Sequence, residues 1–133
     1  MSSFYSSGLK AFLDGDIDLL VDDIRVILVD NADYTFSAAH DWLSDVPSAG
    51  RIDTAVLAGK DTTDGIFDAN DITFTSVTGD EFESLVIYKH TGTPSTSQLI
   101  AYIDTGTGFP LTPDGGNIDL TWDNGANKIF KIG

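Results

Sequence analysis

The stretch Ile24-Arg25-Val26-Ile27-Leu28-Val29 decides the class of fold. Branched side chains crowd a helix at χ1 but sit easily on a pleated, half-buried surface, so the run predicts a buried strand. Residues 17–20 are expected to be its hairpin partner, with Val21-Asp22-Asp23 as the turn. Further on, residues 83–90 place Leu85 and Ile87 on one side and Val86 and Tyr88 on the other. A strand apolar on both sides belongs in mid-sheet with both faces covered. Residues 118–122 show the opposite pattern, with Ile118, Leu120 and Trp122 on one face and Asp119 and Thr121 on the other. Asp123-Asn124-Gly125-Ala126-Asn127 then supplies residues that tolerate positive φ, and residues 128–132 read as the return strand of a closing hairpin.

Residues 55–59, 72–75 and 98–104 supply further strands. Glycine and acidic turns recur about every eight to twelve residues, the rhythm of a sandwich or barrel. The expectation is an all-β chain, an antiparallel β-sandwich (or barrel-like) with one short helix and a flexible N-terminal arm. Its core should draw on Val26, Leu28, Phe74, Leu85, Ile87, Leu99, Ile103, Leu120, Trp122 and Phe130. The helix is expected over residues 37–43 with Ser37 as N-cap. Residues 1–13 form the arm and 14–133 a single domain. Gly8 and Gly15 limit any helix near Phe4 to Leu13, and Ser2, Ser3, Ser6 and Ser7 suit a mobile end.

The composition narrows the function classes. Seven basic and 21 acidic side chains give a net charge of −14, with 41% apolar residues and no cysteine. So large an apolar fraction argues for a packed core rather than disorder. Lack of cysteine excludes disulfides, thiolate zinc sites and thiol catalysis. A sequence pI near 4.1 argues against nucleic acid, which needs cations to displace its counterions. No apolar run is long enough to span a bilayer, so no membrane partner is expected, and residues 1–8 lack the basic start of an export signal.

No constellation in the sequence specifies catalysis. Asp14, Asp16 and Asp18 have the spacing that opens an EF-hand loop, but Leu19 stands where glycine is required and Arg25 where the closing glutamate belongs. Charged aspartates also protect the outer face of an edge strand. Asp61, Asp64, Asp68 and Asp71 form a second acidic cluster, of the residue types that tight turns use anyway. His40 and His90 lack partners at ligand spacing, and no nucleophile elbow is present. Thr105-Gly106-Thr107-Gly108 lacks the lysine of a phosphate-binding loop. Trp122, Tyr88 and Tyr102 lie among core positions, whereas Tyr34, in a loop, is free to touch a partner. No catalytic, cofactor or metal residue is therefore assigned. A carbohydrate-binding or adhesion sandwich would need exposed aromatics, and a hydrolase would need converging carboxylates.

Two stretches carry a resemblance. One runs from Leu13-Asp14-Gly15-Asp16-Ile17-Asp18-Leu19 through Asp23 to Val29, Tyr34-Thr35 and His40-Asp41-Trp42-Leu43-Ser44-Asp45-Val46. The other joins Leu99-Ile100-Ala101-Tyr102-Ile103-Asp104, Pro113-Asp114-Gly115-Gly116 and the segment from Trp122 to Ile132. Together the chain resembles a family of small virion structural proteins of tailed bacteriophages. The resemblance implies a non-enzymatic virion component assembled in the host cytoplasm, and carries no catalytic residues with it. A capsid decoration (cement) protein suits the acidic surface, with the major capsid protein and other copies of itself, in a trimer, as partners; a tail or baseplate protein is the alternative. Phe4, Tyr5, Leu9 and Phe12 are the expected capsid or oligomer contacts, since a lone sandwich offers them little to bury against. Leu9 and Phe12 capping the open end of their own domain is the competing expectation.

Overall fold

The computed structural model describes residues 2–104, 109–122 and 128–131. Its centre is a five-stranded antiparallel sheet built from β1 (Ser2–Phe4), β2 (Ile24–Val29), β3 (Arg51–Val56), β6 (Ser84–Lys89) and β7 (Leu99–Ile103), in the order β1-β7-β6-β2-β3. Two short ladders complete the strands. One pairs β4 (Ile66–Phe67) with β9 (Phe130–Lys131), the other β5 (Ile72–Phe74) with β8 (Ile118–Leu120). The fold is mostly β, sandwich-like, and not closed into a barrel.

The middle of the sheet follows from the sequence pattern. β6 lies third of five and is covered on both sides, as its doubly apolar composition requires. Leu85 and Ile87 join Ile24, Val26 and Leu28 in a first core, closed by Phe67, Phe74 and Phe130 from the ladders and by Trp122 just beyond β8. Val86 and Tyr88 join Ile27 and Val29 in a second core, closed by Tyr34, Leu43 and Val46. Of the expected core residues, Leu99 belongs to this second face and Leu120 is only partly buried. The others lie in the first core.

Three local expectations are corrected. The return strand does not pair with its predecessor among the described residues: β8 pairs with β5 and β9 with β4. Alternation fixes which face of a strand is dry but not which strand lies beside it. The turn at 123–127, the 105–108 segment and Ile132 lie outside the described residues. Residues 17–20 are not a strand; Asp18–Asp22 is a turn, though Ile17 and Leu19 still point into the core. The helix expected at 37–43 is absent as well. There a turn closes from Ser37 to His40, and Trp42 then bridges to Gln98 ahead of a short 3₁₀ helix over Leu43–Asp45. Leu99 N–H donates to the Asp41 carbonyl and Leu43 N–H to that of Ser97. Groups so engaged are unavailable for helical bonds.

The N-terminal arm is docked on the edge of the main sheet. β1 pairs with β7, Ser3 opposite Tyr102, and Ser6–Leu13 forms α1, the single α-helix among the described residues. Gly15, at φ +78°, ends this helix in the left-handed conformation that glycine adopts without strain. A bulge in β7 prepares its seat: Ile87 faces Ala101 and Tyr88 faces Leu99, leaving Ile100 unpaired between them. The Ile100 carbonyl then accepts the Tyr5 N–H at 3.1 Å. Gly8 lies against the same bulge, where a Cβ would come within 2.5 Å of the Leu99 carbonyl oxygen.

Gly8 yields a test of sign. Alanine in a helix interior ordinarily gains about 1 kcal/mol over glycine. Here the added methyl meets backbone that cannot rotate away, and overpacking of this kind costs about 1–3 kcal/mol. Gly8→Ala is therefore expected to lower the melting temperature, measured by circular dichroism. A rise would show that α1 stands clear of β7.

Candidate functional site

The expected contact residues are largely consumed within their own chain. Tyr5 is 0% exposed, and its hydroxyl shares a 2.8 Å hydrogen bond with that of Tyr34. Tyr34 in turn meets His40 Nδ1 at 2.9 Å. Burial, followed by the hydrogen bond from Tyr34, pushes the Tyr5 phenol far above its ordinary range. Phe4 sets its ring edge-on to Phe130 with centroids 5.1 Å apart. Phe12 packs against the first core and Leu9 is half-buried. Tyr34, expected to be free in its loop, is buried in the second core. Of the tryptophans, Trp122 is buried and Trp42 is partly exposed.

The two acidic runs serve local structure. The Asp14 carboxylate pairs with Lys10, one turn back on α1. Asp18 Oδ1 accepts the N–H groups of Leu20 and Val21, at 3.0 and 3.3 Å. In the second run Asp61 and Asp68 exchange backbone hydrogen bonds of 2.9 Å each. Asp61 Oδ1 accepts the Thr63 hydroxyl and Asp71 Oδ1 the backbone N–H of Trp122. These are the turn and capping duties of aspartate.

A different set of carboxylates converges. Asp30, Asp33 and Asp80 bring oxygens within 4.8 Å of one another. The pairing of β2 with β6 sets Val29 opposite Ser84, which leaves Asp30 and Glu83 at the same end of the two strands. Asp30 is buried and its Oδ1 accepts the Ala32 N–H at 2.9 Å, while its carbonyl accepts those of Asp33 and Tyr34. Glu83 Oε2 is enclosed without a hydrogen-bond partner. Desolvation, then the charge of Asp30, holds the Glu83 carboxyl above the ordinary glutamate range. Carboxylate oxygens are the ligands hard cations choose; bare, they repel one another. Sequence reasoning missed this group because its two halves, Asp30 with Asp33 and Asp80 with Glu83, lie about fifty positions apart and are brought to one end of the sheet by the pairing of β2 with β6. The visible signal was acidic residues just beyond the ends of two strongly apolar strands.

The linkage has a definite sign. A carboxyl whose folded pKa is raised binds protons more tightly in the native state, so its contribution to stability falls as pH rises through that pKa. Glu83→Gln removes the penalised charge and supplies an N–H donor for Asp30. The variant is expected to melt above the parent at pH 7, with the difference shrinking toward pH 4. A lower melting temperature at both pH values would mean that the Glu83 carboxylate is stabilising.

No protein-family model and no curated protein matches the chain.

Proposed function

We propose that the chain is a structural component of a tailed-phage virion, a capsid decoration protein bound outside the head shell and bridging capsomers. Its partners in this reading are the major capsid protein and further copies of itself, grouped as a trimer at three-fold positions. The observation that carries the reading is the charge: 21 acidic against seven basic side chains on a chain that covers its main sheet on both faces. Such an exterior is repelled by packaged DNA and suits the outside of a shell. The converging carboxylates and the buried aromatics support a rigid acidic module. The sequence resemblance supplies the virion setting.

The deciding experiment is mass spectrometry of purified virions, with antibody labelling to locate the protein. Many copies on the head support the proposal. Labelling of the tail or baseplate replaces it with the alternative position, and absence from particles overturns it.

A further inference from the structure

The loop from Leu13 to Asp23 carries three large apolar side chains in open solvent: Leu13 is 88% exposed, Val21 79% and Leu20 52%. They are the largest such cluster in sequence among the exposed hydrophobics of the described residues, and the loop that presents them is firmly held. Ile17 and Leu19 anchor it in the first core. The Asp18 carboxylate caps the turn, and Asp22 Oδ2 accepts the Asp18 N–H at 2.8 Å. Lys89 Nζ donates to the Asp16 carbonyl at 2.8 Å and lies 3.4 Å from Asp22 Oδ2, which draws the two arms of the loop together. Lys60 Nζ donates to the Asp22 carbonyl. Apolar tips on a backbone already ordered bind with little entropic penalty.

The charges say what covers them. Lys10, Arg25, Lys60 and Lys89 bond to this loop or pair with its aspartates, against Asp14, Asp16, Asp18, Asp22 and Asp23 within it. Four of the seven basic side chains thus offset the loop's five aspartates, out of 21 acidic residues in all. The remaining sixteen acidic and three basic residues make the rest of the chain strongly negative. A basic partner would choose that remainder. Chains of charge −14 that meet one another must meet where the charge is lowest, and here both signs are present on each copy. We infer that the loop around Leu13, Leu20 and Val21 is the surface through which copies of this chain associate, its apolar tips converging at the symmetry axis. The inference rests on the proposed trimer and assigns its interface.

Analytical ultracentrifugation of the purified chain tests it, with Leu20→Asp, Val21→Asp and, as a control away from the loop, Thr75→Asp. The parent and the control are expected to sediment as the oligomer. Both loop variants are expected to fall to the 14.2 kDa monomer with the folded circular-dichroism spectrum retained, since each would bury an unpaired charge; the dissociation constant should rise at least ~tenfold. A parent that is monomeric at every concentration overturns the inference, as do loop variants that keep the parent's mass. If a loop variant loses its folded spectrum, Val21→Ser, which deletes the apolar tip without adding charge, gives the reading: weakened association supports the surface, and unchanged association overturns it. The virion reading fails separately, by absence of the protein from purified particles.

Discussion

Deletion of residues 1–12 is expected to abolish the cooperative melting transition at or below 37 °C. The truncated chain loses the edge strand β1, the fully buried Tyr5, and Ala11 and Phe12 from the floor of the first core. Removing one fully buried aromatic costs about 3–5 kcal/mol. A domain's whole stability is about 5–15 kcal/mol. The deletion adds a lost strand and a lost helix to that single side chain, so the deficit reaches the size of the total. A free arm would instead let the same deletion spare the sandwich and weaken only attachment to a shell, whereas Leu9 and Phe12 capping their own domain agrees with the loss. A truncated protein that melts within a few degrees of the parent would restore the free arm.

The second large effect is expected at Trp122. The ring is buried in the first core, and its indole N–H donates to the Asn70 carbonyl at 3.1 Å. Trp122→Ala leaves a cavity and an unpaired carbonyl, for about 3–5 kcal/mol. For a chain of this size the melting temperature should fall by about 10 °C or more. Trp122→Phe keeps much of the packing and loses the hydrogen bond, so it should land between. Equal losses from the two variants would assign the cost to the hydrogen bond rather than to the cavity.

The strands most legible in the sequence are those whose own composition states their surroundings. Residues 83–90 are apolar on both sides, and β6 lies in mid-sheet. What depends on a distant partner was hidden. Gly8 resembles a helix breaker until the β7 backbone is seen 2.5 Å from its missing Cβ. Residues 118–122 announce a dry face, yet their neighbour is β5, some forty-six positions away in the register of Asp119 with Thr73. The convergence of Asp30, Asp33 and Asp80 depends on strand register in the same way. The aspartates that looked like a site by spacing, from 14 to 18, are occupied with turns and ion pairs.

The seat of β1 against β7 has a consequence for how the chain is made. Ser2 pairs with Ile103, so β1, once synthesised, waits for about a hundred more residues before its partner exists. β4 and β5 likewise wait for β9 and β8, about fifty to sixty positions downstream. Pairings of such long sequence separation close slowly, because loop entropy is lost before any contact repays it. During translation Phe4 and Tyr5 have no place to bury. The sheet is completed from its middle outwards, with β1 docking at its edge among the last.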